Sequence, residues 1–460
     1  MDKEESEYTK DEILEKRKKF FSSSVSVSYE NSDPLMIMGG YKARLIDEHG
    51  NVYLDTRNNV CHVGHQNEAV VAAVQKQVGI LNTNTRYLHP NAALLAERLV
   101  SLLPDPLCKV FFVNSGSEAN DLALRLAQAK TKSNNMIVVD TAYHGHTLST
   151  LAVSPYKYKS KEFNMPFNDS LGKNVIKVPC PDTFRGIHTG DDAASKYANY
   201  VVEACNTYKK RGEDVCAFIT EGGLSVGGVI LPPPMYFKKC VDAVRAAGGL
   251  YIADEVQTAL GRLGDDCFWA FLHGGNDIVP DIVTIGKPFG NGMPLAAVIT
   301  TEEVSSAFES MGVEYFNTFA GSPVCCAAGL AVLDELERNK LPAHAARVGN
   351  YLKSKFLSLD LSDCPDVNIG DVRGRGLFMG IDIVNNDMEP GTLETSFICT
   401  KLKEDFRILT SIDGPHDNVL VVKPPLAFSI EDADEFIDAF KKAAQMIAKI
   451  DKSKISKTPT

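Results

Sequence analysis

The chain has 460 residues, of which 44% are hydrophobic and 23% charged, enough apolar material for two or three domains that each bury a core. A formal net charge of -11 speaks against nucleic acid or an anionic membrane as partner by bulk electrostatics, and leaves a small molecule or another subunit. No run approaches the roughly 18 apolar residues a membrane span needs.

The first stretch, MDKEESEYTKDEILEKRKKFF, reads as a charged helix. It has no apolar signal core, and its early acids are unlike an arginine-rich transit peptide, so the expectation is a cytoplasmic protein rather than a mitochondrial one. A hairpin follows in KARLIDEHGNVYLD, with His49, Gly50 and Asn51 as its turn. Residues 1–60 are expected to join a smaller domain.

Residues 61–335 read as a large domain. Short β-rich runs alternate there with helical patterns: KVFFVN, NMIVVDTA, NVIKVP, VCAFITE, GGLYIADEV, DIVTIGK and LAAVITT. Strands that are nearly all apolar, separated by helices, predict a doubly wound α/β domain with a mostly parallel sheet. Ligands bind such sheets beyond the carboxyl ends of the strands. The polar residues ending these runs are Asn114, Asp140, Glu221, Asp254 with Glu255, and Lys287. Residues 336–450 then alternate helical and strand patterns and complete the small α+β domain, and the tail 451–460 reads as disordered. The 11 cysteines form no CxxC pair and no metal-like spacing, which points to reduced thiols.

Four stretches could carry chemistry. NSGSEANDLALRLA, residues 114–127, places a strand end, a Ser-Gly-Ser turn and a helix start in succession. Free N–H groups at a helix start, with the Ser115 and Ser117 hydroxyls, suit a phosphate, although an ordinary capped helix accounts for the pattern equally well. YIADEVQTALGRLG, residues 251–264, delivers Asp254 and Glu255 to the active edge of the sheet. A carboxylate buried there needs a partner, either a structural arginine or the protonated ring nitrogen of a pyridine cofactor. TIGKPFGNGMP, residues 284–294, sets Lys287 at the end of a strand among Gly286, Gly290 and Gly292. Desolvation makes a lysine nucleophilic, and glycines let the backbone approach a cofactor. In DTAYHGHTLST, residues 140–150, Tyr143 could stack on a planar ring with His144 beside it, or the pair could simply pack a helix entry. His62 and His65 of CHVGH lack the neighbouring carboxylates of a convincing metal site, and no metal is expected.

Together these residues resemble the class III pyridoxal-phosphate-dependent aminotransferases, a fold type I family, over about residues 30–445. The resemblance implies pyridoxal 5'-phosphate as cofactor. It implies that Lys287 forms the Schiff base, that Asp254 pairs with the pyridinium nitrogen, that Gly116 and Ser117 hold the phosphate and that Tyr143 stacks on the ring. Ser115, His144, Glu221 and Gln257 would complete the cofactor site, and Thr318 would reach the cofactor phosphate of a neighbouring subunit. A homodimer with shared sites follows, with pairing into tetramers left open.

Within the family, NNVCHVGH, LNTNTRYLH, AYHGH, SPYKY and DGPHDNVLVVKPP look most like the phospho-lyase branch, whose members act on O-phosphoethanolamine or phosphorylated hydroxylysine. The alternative is transfer of an amino group to a 2-oxo acid such as pyruvate or glyoxylate. Three positions depart from the family pattern. Gly222 follows Glu221 where proline is usual, Ala259 replaces a glycine, and Val421 stands three residues before Pro424 where amino-acid transaminases commonly carry an arginine for a carboxylate. Arg86, with help from Lys423 or His62, is the candidate for a substrate phosphate.

Overall fold

The computed structural model describes residues 6–30, 33–156, 173–274, 278–364 and 366–447. The expected disordered tail lies outside them. The chain divides into two compact units, one formed by Met1–Asn67 with Arg347–Thr460 and the other by Glu68–Ala346.

The Glu68–Ala346 unit is built on a seven-stranded sheet. Its strands lie in the order Leu107–Val113, Ala296–Thr301, Ile282–Ile285, Leu250–Asp254, Ala217–Glu221, Met136–Val139, Val175–Val178. Ala296–Thr301 runs antiparallel to both neighbours, while the four remaining pairings are parallel. The seven strands are those legible as apolar runs. Met136–Val139, Ala217–Glu221 and Ile282–Ile285 are buried at every residue, as strands covered on both faces must be. The helix Gly116–Thr131 packs on the sheet through Ala119, Leu122, Ala123, Leu126 and Ala127, at helical spacing, and these join Val138, Ile219, Ile252 and Val298 in one core. Register then sets the site. Glu221 pairs with Asp254 and Asp254 with Thr284, so three strands end level with one another.

The other unit contains two four-stranded sheets. In the first, Ile37–Tyr41, Arg44–Asp47 and Val52–Asp55 form an antiparallel meander joined by the parallel strand Ile408–Leu409. The turn of its expected hairpin is held by Asp47, whose Oδ1 accepts from the N–H groups of His49 and Asn51, with Gly50 at a φ of 83°. The second sheet orders Asn368–Arg375, Phe378–Val384, Val419–Val422 and Ser411–Asp413, all antiparallel. No helix among the described residues is long and apolar enough to cross a membrane.

Candidate active site

Asp254 ends the strand Leu250–Asp254 and is buried. Its Oδ2 lies 2.7 Å from His144 Nδ1 and accepts from Asn120 Nδ2 at 2.8 Å, while Oδ1 accepts from the Val256 N–H at 3.0 Å. These three partners satisfy the carboxylate where solvent does not reach, and none of them is an arginine. Asn120 is held in turn by Thr284, whose hydroxyl donates to Asn120 Oδ1 at 2.7 Å, and itself donates to the His144 carbonyl at 2.8 Å. His144 is fixed further by its N–H, which donates to Ser154 Oγ. Its Nε2 is buried with no hydrogen-bond partner among the described residues.

Asn120 and Thr284 are the residues that sequence reasoning missed. The available signal was a polar side chain on the apolar face of a helix, flanked by Ala119 and Leu122.

Neighbouring Glu255 has a different surrounding, because successive side chains along an extended strand end point to opposite sides. Its carboxyl accepts from the Phe271 N–H at 2.7 Å and the Thr258 hydroxyl at 2.8 Å. It props the turn after the strand. Glu221, at the end of its own strand, accepts from the N–H groups of Tyr143 at 3.0 Å and Ser225 at 3.2 Å. Burial pushes its carboxyl up to about 7, with the Asp254 charge adding to the rise and His144 opposing it.

Lys287 sits in the turn after Ile282–Ile285 and is half-buried. Desolvation holds its ammonium below the ordinary lysine range, even though the charges of Asp254 and Glu221 pull the other way. Gly286 brings it against the helix start. A Cβ at Gly286 would stand 3.3 Å from the backbone of Gly116, and a Cβ at Gly116 would stand 2.5 Å from Val256 Cγ1. A side chain at Gly116 would require Val256 to shift, and one at Gly286 would be tight against the Gly116 backbone.

The helix Gly116–Thr131 is capped by Ser115, whose Oγ accepts from the Glu118 N–H. Ser117 Oγ accepts from the His146 N–H at 3.0 Å. Gly116 and Ser117 occupy the first helical turn, where backbone N–H groups have no intrahelical acceptor. Tyr143 lies beside this turn, with its ring edge-on to Tyr156 at 6.5 Å. Gln257 is half-buried in the turn three residues beyond Asp254.

The structure therefore gathers Ser115, Gly116, Ser117, Tyr143, His144, Glu221, Asp254, Gln257 and Lys287 at the carboxyl ends of adjacent strands. The other candidates are held by contacts of their own. Arg86 is exposed, with its guanidinium over the Phe316 ring at 4.2 Å and 3.5 Å from Glu314. Thr318 is exposed in a turn of that same neighbouring segment. His62 and Lys423 belong to the other unit, where they share one neighbourhood. The His62 carbonyl accepts from the Leu426 N–H, the Lys423 N–H donates to the Thr56 carbonyl, and Lys423 Nζ lies 3.8 Å from Asp413.

A pyridine ring bearing a phosphate fits the gathered residues. The buried carboxylate suits a protonated ring nitrogen, the first turn of the helix suits a phosphate, and the half-buried amine suits an aldehyde.

Residues 26–444 match the model of the family described as aminotransferase class-III. A Drosophila melanogaster protein named "Alanine--glyoxylate aminotransferase 2-like" is 43% identical over 94% of this chain and 87% of its own. "Ethanolamine-phosphate phospho-lyase homolog 1" of Caenorhabditis elegans is 40% identical over 94% of this chain and 92% of its own. Among solved structures, a phospholyase from Arthrobacter in complex with phosphoethanolamine is 35% identical, with a TM-score of 0.85 over 94% of this chain and 99% of that one. A Bacillus anthracis aminotransferase is 26% identical, with a TM-score of 0.83 over 96% and 100%. "Alanine--glyoxylate aminotransferase 2 homolog 2, mitochondrial" of Arabidopsis thaliana is 39% identical over 93% of this chain and 86% of its own, and relatives from Homo sapiens and Pongo abelii are named mitochondrial too. Those names overturn the expectation that a mitochondrial location is the less favoured one. The physical reason is that an acidic N-terminus reports only on a cleavable leader, not on the compartment.

Proposed function

The chain belongs to the class III aminotransferases, an enzyme family that uses pyridoxal phosphate, and from that premise we propose that it expels phosphate from a small phosphorylated amine. The reaction would convert O-phosphoethanolamine and water to acetaldehyde, ammonia and phosphate. The family's shared capability is coarser, amino-group transfer or phosphate elimination, and both begin with loss of a proton from the carbon bearing nitrogen.

The observation that carries the proposal is Val421. It is fully buried in the strand Val419–Val422, opposite Gly380 and Ser411, and so offers no cation where amino-acid transaminases carry a carboxylate-binding arginine. A substrate with no carboxylate needs none. The phospho-lyase name and the phosphoethanolamine complex among the similar proteins support the same reading.

Bound pyridoxal phosphate supplies an aldehyde that captures amines and a ring that accepts an electron pair. Lys287, whose ammonium burial disfavours, would take a proton at Nζ from the substrate carbon and return it. Asp254, positioned by His144, Asn120 and the Val256 N–H, would face the ring nitrogen and hold a proton on it. Gly116 and Ser117 would bind the cofactor phosphate through backbone N–H groups, with Ser115 fixing the helix start. Tyr143 would lie on the ring face, with Glu221 and Gln257 around it.

Arg86, Lys423 and His62 remain the candidates for the substrate's own phosphate. Exposed Thr318, beside Phe319 at 73% exposure, supports a homodimer in which this segment completes a neighbouring site.

A second reading is amino-group transfer to a 2-oxo acid such as pyruvate or glyoxylate. Taken together, the names of the similar proteins favour it over elimination, since most are aminotransferases or transaminases. Incubation with phosphoethanolamine alone, followed by assay of free phosphate, separates the two. Stoichiometric phosphate and acetaldehyde without an amino acceptor are expected. Turnover only in the presence of pyruvate or glyoxylate, with no phosphate released, would replace the first reading by the second.

A further inference from the structure

Asn120 is buried on the helix Gly116–Thr131, and both ends of its amide are engaged. Nδ2 donates to Asp254 Oδ2 at 2.8 Å and to the His144 carbonyl at 2.8 Å, while Oδ1 accepts from the Thr284 hydroxyl at 2.7 Å. A carboxylate oxygen and a carbonyl oxygen both call for a donor, so the amide satisfies them only with its NH2 group turned their way. The Thr284 hydroxyl, donating from the opposite side, holds that orientation. Thr284 is itself buried, and its carbonyl accepts from the Glu255 N–H at 2.9 Å.

The place of Asn120 along its helix matters as much as its bonds. It follows Gly116 by four residues and Ser117 by three, so the three share one face. Ser117 Oγ accepts from the His146 N–H at 3.0 Å, one turn before Asn120 reaches the His144 carbonyl. Between those two bonds the loop lies directly on the helix start. Gly145 has a φ of 134°, and a Cβ there would stand 2.8 Å from Ser117 Cα. The first helical turn, the loop that carries Tyr143 and His144, and the Asp254 carboxylate are thus tied together by two successive turns of one helix. All of these residues belong to the Glu68–Ala346 unit.

We propose that Asn120 is a positioning residue for the cofactor ring: it sets Asp254 toward the ring nitrogen in register with the phosphate-binding turn, and Thr284 acts through it by holding the amide the right way round. A rise of about 1.5 Å per residue puts Asn120 about 5 Å along the axis from that turn. One rigid element therefore carries both the phosphate-binding N–H groups and the side chain that orients the carboxylate. The inference rests on the reading of Asp254 as the partner of the ring nitrogen, and it holds for elimination and amino-group transfer alike.

Release of pyridoxal phosphate from the full-length, cofactor-loaded protein, followed by dialysis, tests the proposal. Asp254→Asn comes first, because unchanged release in that variant would remove Asp254 from the ring nitrogen and the inference with it. Where Asp254→Asn does speed release, Asn120→Ala should speed it about tenfold, the scale of one buried hydrogen bond to a carboxylate. Made on top of Asp254→Asn, the same change should add nothing, since Asn120 acts through the carboxylate. Effects that multiply, or release that Asn120→Ala leaves at the wild-type rate, would overturn the proposal while leaving Asp254 in its role.

Thr284 gives a second line that decides by itself if Asn120→Ala does not fold. Thr284→Val keeps the branched shape and removes the hydroxyl, which leaves Asn120 Oδ1 without the Thr284 donor. Release should then rise about threefold, and Thr284→Ser, which restores the hydroxyl, should return it to the wild-type rate. In the Asn120→Ala background Thr284→Val should change nothing. A wild-type rate in Thr284→Val, a Thr284→Ser variant as fast as Thr284→Val, or a Thr284→Val effect that persists without Asn120 would reduce the pair to packing and refute the proposal.

Discussion

The buried ends of three strands and the exposed segments around Arg86 and Thr318 are built on opposite terms. Around Asp254 the polar atoms are held by neighbours from several elements: His144 from the loop after one strand, Asn120 from a helix, Thr284 from the adjacent strand. Around Arg86 the contacts are a ring face and an ion pair whose members are 55% and 70% exposed. Proton transfer needs groups fixed in position, and a low-dielectric surrounding makes each charge count. Recognition of a variable substrate tail tolerates looser holding. The division suggests that the proton chemistry resides in the first region and the choice of substrate outside it.

Lys287→Ala should break that division most severely, lowering turnover on the order of ten-thousand-fold if Lys287 is the proton carrier proposed. Steady-state assay of the purified, correctly folded variant measures it, and survival of a tenth of the activity would remove Lys287 from the mechanism. Asp254→Asn comes next. It keeps the shape and loses the charge, and turnover should fall about a hundredfold or more, with cofactor retention measured by dialysis.

Glu221 offers a gentler probe. Its folded pKa of about 7 stands above the ordinary 4.5, so the stability tied to its protonated form is full below the lower value. It is lost as the pH rises through 7. Glu221→Gln should therefore gain on the wild type in thermal melts between pH 5 and 8, by about 3 kcal/mol at most. A difference that stays constant with pH would mean that the carboxyl titrates normally.

Arg86→Ala should have the smallest effect on the fold, within about 0.5 kcal/mol, as expected for an exposed pair. If Arg86 holds the substrate phosphate, the KM for phosphoethanolamine should still rise about tenfold. An unchanged KM and kcat would free it from that role.

The seven strands and the residues ending them were legible because buried parallel strands are written as unbroken apolar runs. The polar residue that stops each run marks the active edge. Asn120 was not legible in the same way. Its partners Asp254 and Thr284 lie more than a hundred residues away, and only the register of three strands brings them to it. Glu255 was legible as a site candidate but not in its actual place, since the strand's alternation turns it toward Thr258 and Phe271. For the substrate phosphate, sequence named Arg86, Lys423 and His62 together. The exposed setting of Arg86 and the neighbourhood shared by His62 and Lys423 reflect contacts that no local pattern encodes.

Gly116, Val256 and Gly286 meet where the lysine-bearing turn, the carboxylate-bearing turn and the helix start come closest. They share one closely packed volume, so a methyl group gained at one position presses on the other two, and the three should couple when they are substituted together.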